Sequence, residues 1–256
     1  MIKMGTSGFS YRDWKGPFYP ENLPDREMLS FYTRYFEALE VNSTYYAIPG
    51  RRSLEAILRK AEGRVDFVLK AHQDITHRRE RASVTLPQFQ NVLSPFLDAE
   101  VLKAVLLQFP YSFKHTLESR DHLLWLRESL FEISLVVEFR HRSWITEEVH
   151  QFLRQNDISY CCVDEPRLPG LPPSVAWATG PIGYVRFHGR NRQKWWDHKE
   201  AQERYDYLYT EGELREWLPK IWRLEKATEM TFVFFNNHPN GQGAINAQLM
   251  QEMLSS

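Results

Sequence analysis

Short β-branched or aromatic runs alternate along this chain with stretches of helical period. Eight runs read as strands: 2–9 ("IKMGTSGF"), 38–44 ("ALEVNST"), 66–72 ("DFVLKAH"), 104–110 ("AVLLQFP"), 134–141 ("SLVVEFRH"), 159–165 ("SYCCVDE"), 184–190 ("YVRFHGR") and 231–238 ("TFVFFNNH"). Between them lie helical segments such as "RRSLEAILRKA", "ESRDHLLWLRESL", "TEEVHQFLRQN" and "TEGELREWLPKIWRLEKA", and "GAINAQLMQEMLSS" follows the last run. The segment after the third run has a weaker period. The one after the sixth, "PRLPGLPPSVAWATGP", reads as a loop, because its prolines and glycines break any helix. Strands alternating with helices predict a parallel sheet. Eight such units in 256 residues predict an α/β protein, a TIM (β/α)8 barrel forming a single domain over residues 1–256. A doubly wound open sheet is the alternative.

Strand side chains alternate faces with period two, and the polar residues of these runs share one face. Glu40 and Asn42 oppose Leu39 and Val41; Lys70 and His72 oppose Leu69 and Ala71; Glu138 and Arg140 oppose Val137 and Phe139. Cys162 and Asp164 oppose Val163, Arg186 and His188 oppose Val185 and Phe187, Gln108 opposes Phe109, and Asn236 opposes Phe235. In each case the polar residues fall in the last third of the run. In a barrel they would converge on the carboxyl-terminal mouth, where barrel enzymes carry their chemistry. A buried, unpartnered carboxylate costs several kcal/mol or takes up a proton, so Glu40 is expected to have partners across the mouth. One such residue alone reads equally well as a structural ion pair. Its recurrence on seven strands points to a site.

Composition narrows the function only a little. The formal net charge of −1 argues against a global basic field of the kind that binds nucleic acid or membranes. Cys161 and Cys162 are adjacent and form no disulfide or zinc framework, so they read as small strand residues in a reducing compartment. The opening "MIKMGTSGF" lacks the apolar stretch of a signal peptide, and no apolar run approaches a membrane span. The expectation is a cytoplasmic protein with no membrane partner.

The mixed ring admits two chemistries. Glu40, Glu138, Asp164, His72 and His188 are plausible ligands for a divalent metal. Lys70, Arg140 and Arg186 would share the same mouth, and no HExxH-like spacing is present, so a bound metal is not favoured and the cofactor stays unknown. Fixed Arg and Lys side chains instead suit a phosphate or carboxylate. The loop "RFHGRNRQKWWDHK" adds Arg190, Arg192 and Lys194, then Trp195 and Trp196, which suit stacking on a base or sugar ring or simply pack the loop. "HQDITHRRERASV" adds His77, Arg78, Arg79 and Arg81 to the expected rim, as a positive collar or a solvated loop. Asn236 and Asn237 run into a turn, after which Gly241 and Gly243 open the last helix, with Asn246 in its first turns and free N–H groups suited to an anion. In the first loop, Gly5 and Gly8 allow close backbone approach, and Tyr11, Trp14 and Tyr19 wall or cover the mouth.

The motifs "GTSGFSYRDWKGPFYP", "LEVNSTYY", "LKAHQDITH", "VVEFRHRSW", "YVRFHGRN" and "FFNNHPNGQGAINA", taken together and in order, resemble the YecE-like proteins, the family called domain of unknown function 72. The resemblance spans essentially the whole chain. Phe9 stands where Trp is expected and Gly243 where Ala is expected. It implies a TIM barrel whose reaction is not established. Likeness of the family to metal-dependent barrel endonucleases has suggested nucleic-acid binding, which is an analogy at the level of the fold.

The leading expectation is an enzyme acting on a phosphate-containing substrate, a nucleotide or nucleic acid. Lys70, Arg140 and Arg186 would hold the phosphate. Glu138 or Glu40 would serve as base, and His188 or His72 as proton donor. Asn42, Asn236 and Asn237 would orient the substrate. A sugar isomerase or epimerase is one alternative, and a non-catalytic nucleic-acid-binding protein is another. No oligomeric state is legible in the sequence.

Overall fold

The computed structural model describes residues 1–255. Its strands are β1 (Ile2–Ser7), β2 (Ala38–Val41), β3 (Asp66–Lys70), β4 (Leu102–Gln108), β5 (Leu135–Glu138), β6 (Ile158–Asp164), β7 (Ile182–Phe187) and β8 (Met230–Phe235). They pair in parallel in sequence order, and β1 also pairs with β8, so the sheet closes into a barrel and the open-sheet alternative is excluded. All eight predicted strands are present. The predicted carboxyl ends overrun because the polar residues there leave the ladder: Asn42, His72, Arg140, His188 and Asn236 lie one or two positions past their strands.

Helices Arg51–Ala61, Leu117–Ser129, Glu147–Gln155, Leu218–Ala227 and Gln242–Ser255 lie in the connections, and the β6–β7 connection is a loop, as its prolines predict. The weak segment after β3 forms the helix Ala82–Asp98 despite Pro87 and Pro95. Its Leu86, Phe89, Val92, Leu93 and Phe96 make a buried stripe, and packing outweighs propensity there. Thr116, Thr146 and Thr210 each accept a backbone N–H two or three residues into a helix and so fix three helix starts.

Two cores result. One lies between sheet and helices. The other fills the barrel with Ala38, Val68, Leu106, Val136, Phe232 and Phe234, which leaves a solid interior beneath the mouth. Gly5 permits the closure: a Cβ there would sit 2.1 Å from the Ala38 carbonyl oxygen. On β6 it is Cys161 and Val163 that face inward, while Tyr160 and Cys162 pack outward. Asp164 shares the outward face. The reading that placed it in the mouth took the apolar face for the helix side, but a packed barrel interior is apolar too.

Candidate functional site

Residues of inward parity on β2, β5 and β7 build the floor of the mouth. Arg186 donates from Nη1 to Glu138 Oε2 at 2.5 Å and from Nη2 to Glu40 Oε1 at 2.7 Å. Tyr184 donates its phenol to Glu40 Oε2 at 2.7 Å. Arg140 Nε donates to Glu138 Oε1 at 2.5 Å, and His188 Nε2 lies 3.2 Å from the same oxygen. Neither carboxylate is open to solvent. The sequence problem posed by Glu40 is thus answered by one guanidinium and one phenol.

Protonation follows from this packing. Burial pushes the Glu138 carboxyl up, but Arg140, Arg186 and His188 outweigh it and hold it well below the usual range. Burial, with Arg140 beside it, pushes His188 down to about 3, so its imidazole is neutral. Its ring nitrogens lie 3.2 Å from Asn236 Nδ2 and 3.2 Å from Arg140 Nη2. Burial pushes the Glu165 carboxyl up to about 8 against the pull of Arg140, whose Nη1 is 3.5 Å away. Lys70 is half-buried, and its ammonium has no hydrogen bond or ion pair among the described residues. Its ammonium sits 4.2 Å from the centre of the Tyr45 ring. Burial and the neighbouring Arg186 push it down to about 7.

Two connected hollows lie above this floor. The first, of ≈ 440 Å³, is lined by Tyr11, Asn42, Lys70, Arg140, Arg186, Asn236 and His238, with Glu200, Gln202 and Tyr205 overhead. The second, of ≈ 280 Å³, is lined by Tyr45, His77, Gln108, Tyr111, Trp195 and Trp196. Lys70, Arg140, Tyr46 and Tyr205 border both. Lys70, Arg140 and Arg186 therefore face the first hollow and Arg204 also lines the second, while Glu40 and Glu138, which balance Arg140 and Arg186, lie behind and line neither. Two further polar atoms at the first hollow have no partner: the Arg186 Nε–H and the Asn42 side-chain Oδ1 are both buried and unbonded.

A segment of the β7–β8 connection roofs the mouth, and several predicted site residues hold it down. Gly189, at φ +90°, turns the chain off β7, and a Cβ there would meet Tyr207 at 2.7 Å. Asp164 accepts both Arg190 Nε and Nη2 (2.9 and 2.8 Å), the Tyr209 phenol and the Trp217 indole (2.7 Å each). Asn246 bonds both the N–H and the carbonyl of Tyr209, and Asn237 donates to the Tyr207 carbonyl.

The structure thus brings together Asn42, Lys70, Arg140, Arg186, Trp195, Trp196 and Asn236 at the mouth, with Glu40, Glu138 and His188 beneath them. It sets four residues apart. Asp164, Asn237 and Asn246 are clamps of the roof. His72 accepts the Asp74 N–H on Nδ1 and caps a short turn, because the chain leaves β3 at Lys70 before period two can carry His72 inward. Neither Gly241 nor Gly243 reaches the hollows, and Trp14 and Tyr19 are buried beneath the first loop. Glu165 ended the predicted sixth run with the inward parity of Val163 and was passed over, and Tyr205, in the short 3-10 turn Ala201–Tyr205, carried no sequence signal. Tyr184 did carry one, sharing the parity of Arg186.

A family model described as "Protein of unknown function DUF72" matches residues 3–256. The chain belongs to the DUF72 family. It is 30% identical over 270 residues to the UPF0759 protein YunF of Bacillus subtilis strain 168, covering 99% of this chain and 95% of that protein. A DUF72 family protein from Thermotoga maritima MSB8 superposes with a TM-score of 0.93 at 41% identity, covering 100% of both chains. Another, from Enterococcus faecalis V583, gives 0.88 at 26%, covering 100% of this chain and 96% of that one.

The donor set in this DUF72 protein does not suit a metal. Among the described residues no three His, Cys, Asp or Glu side chains converge on a common point. Glu138 is taken up by two guanidinium groups, and Glu40 by one guanidinium and the Tyr184 phenol. Nor does any helix among the described residues have the length and apolar character to cross a membrane.

Proposed function

We propose that this DUF72 protein binds a phosphate-containing small molecule, a nucleotide or sugar phosphate, at the barrel mouth and acts on it there. One observation carries the reading: Lys70, Arg140 and Arg186 line the first hollow while the carboxylates that pair with the two arginines are buried behind them. A guanidinium fixed by a carboxylate from below keeps its orientation and presents its remaining N–H groups upward. Arg140 makes three contacts of its own, to Glu138, Glu165 and His188, which leaves two of five donors for a ligand. The second hollow, with Trp195, Trp196 and Tyr111, suits a base or a sugar ring.

The proton-transfer roles move accordingly. Glu138, held ionised by two arginines, is a poor base, and Glu40 has both oxygens taken by Arg186 and Tyr184, so the two are assigned to holding the arginines. Lys70, which titrates near neutrality and faces the ligand space, is the better acid or base. A polynucleotide is less favoured. Arg190 is paired with Asp164 and Glu216, and Lys194 with Glu203, so the loop after β7 neutralises much of its own charge.

Calorimetric titration with inorganic phosphate, a sugar phosphate, a nucleoside monophosphate and the matching uncharged nucleoside tests the proposal. The phosphate-bearing ligands are expected to bind at least about tenfold tighter than the nucleoside, with Arg140→Ala removing that advantage. Equal binding of nucleoside and nucleotide would overturn it.

A further inference from the structure

We propose that Lys70 is a nucleophilic amine that forms a Schiff base with a carbonyl group of the bound ligand. The inference rests on the proposed phosphate site and narrows its ligands to those carrying both a phosphate and an aldehyde or ketone.

Position is the first argument. Lys70 ends β3 with inward parity, so a strand of the barrel rather than a mobile loop aims it. It borders both hollows, placing its nitrogen between the arginine-lined side and the aromatic side. A ligand with its phosphate on Arg140 and Arg186 and its body against Trp195 or Tyr111 passes over this amine.

Isolation is the second. Arg140 and Arg186 are each fixed by carboxylates, whereas the Lys70 ammonium has neither an ion-pair nor a hydrogen-bond partner among the described residues and lies over the face of Tyr45. A lysine meant only to add positive charge gains from a carboxylate contact. One kept from such contact beside two guanidinium groups holds its amine free at neutral pH, the condition for attack on a carbonyl. The floor carboxylates are already taken by the arginines and the Tyr184 phenol and have no free oxygen to offer it.

The step balances without a co-reactant. The amine lone pair attacks the carbonyl carbon, and the C=O π pair moves to oxygen and takes a proton. The resulting carbinolamine hydroxyl, protonated again, leaves as water while the nitrogen lone pair forms the C=N bond. Counted from the ammonium, one protonated amine and one carbonyl give one protonated imine and one water. The imine keeps a single positive charge beside the phosphate. Tyr205, which borders both hollows, is placed to pass the proton to the departing hydroxyl.

The test is reductive trapping on the full-length protein. Pyridoxal 5′-phosphate supplies phosphate and aldehyde together, and pyridoxal the aldehyde alone; each is incubated with protein, reduced with borohydride and mapped by peptide mass. The Lys70 peptide is expected to carry the pyridoxyl group at least about tenfold more than any other lysine. Pyridoxal phosphate should outpace pyridoxal, and inorganic phosphate should protect. Lys70→Arg should lose that label, while Lys226→Arg, at an exposed position that lines neither hollow, should keep both the label and the affinity for phosphate. Labelling spread evenly over the surface lysines, with phosphate still binding by calorimetry, overturns the Schiff-base inference and leaves the phosphate site standing. Selective labelling of Lys70 by both aldehydes without phosphate protection keeps the reactive amine and overturns the phosphate site. Since the trapping is read on the unmodified protein, a misfolded variant does not obscure it.

Discussion

Arg186 Nη1 and Glu138 Oε2 meet at 2.5 Å in a place where the two side chains are 1% and 0% exposed. A charge pair this deep in the barrel gives little net stability by existing, because desolvation offsets its attraction, but breaking it strands a buried charge. Arg186→Met leaves Glu138 with Arg140 and Glu40 with Tyr184. The expected loss is about 3–5 kcal/mol in urea denaturation. Combining it with Glu40→Gln should cost less than the sum of the two single changes. A single-mutant loss below about 1 kcal/mol would mean that water reaches the floor.

Asp164 gives a contrasting case. It joins Arg190, Tyr209 and Trp217, and it lines neither hollow. Asp164→Ala orphans the Trp217 indole N–H and removes the bidentate anchor of the roof. It should lower stability by about 2–4 kcal/mol and expose residues 191–205 to limited proteolysis. If instead the roof stays protected while phosphate binding disappears, Asp164 acts on the ligand.

Glu165 should impose a pH dependence of its own. Its carboxyl keeps a proton up to about pH 8 in the fold, whereas an ordinary glutamate loses it near 4.5. Between those values the native state holds the extra proton, so stability falls as pH rises. The contribution is complete below 4.5 and gone above 8. Glu165→Gln carries no titrating group and should flatten this part of the stability–pH curve, measured by denaturation at pH 5, 6.5 and 8. An unchanged slope assigns the dependence elsewhere.

The pair Lys70 and sulfate tests the mouth in a different way. Sulfate keeps its charge over the neutral range, so any pH effect belongs to the protein. With the amine pushed down to about 7, a bound anion favours the ammonium and draws a proton onto it. Affinity should therefore decline from pH 6 to pH 9. Calorimetry near pH 8 in buffers of different ionisation enthalpy should register proton uptake, absent in Lys70→Met.

Trp196 is 53% exposed and meets Tyr111 edge to face at 5.2 Å. Trp196→Ala should weaken a nucleoside monophosphate by about 1–3 kcal/mol and leave inorganic phosphate unaffected. Equal losses for both ligands would place the indole's effect on the pocket's shape.

The barrel was legible because its signals are local: period two within strands, helical period between them, and proline where a crossover has no helix. The floor was legible for the same reason, since Glu40, Glu138, Arg140 and Arg186 sit at or just past strand ends of known parity. Parity failed at β6, where Cys161 and Val163 give the inward face no polar mark, and so Asp164 was read on the wrong side. It failed also for His72; Asn237 and Asn246, taken from the turn and the last helix rather than from parity, likewise lie past the strands, where hydrogen bonding to loops and turns sets the side chain's direction. Which carboxylates are saturated is a three-dimensional fact with no trace in spacing. The move of proton transfer from Glu138 to Lys70 depends on it.

The floor also has a bearing on how this chain folds. Glu40 and Arg186 are 146 residues apart, and Glu138 and Arg186 are 48 apart. Any partial barrel that stops short of β7 contains Glu40 without its arginine, and it can pack a dry core around that carboxylate only by leaving the charge uncompensated. Intermediates of that kind are penalised until the seventh strand arrives, so closure of the ring and neutralisation of its centre become one cooperative event. A half-barrel fragment of this sequence should not hold a native core.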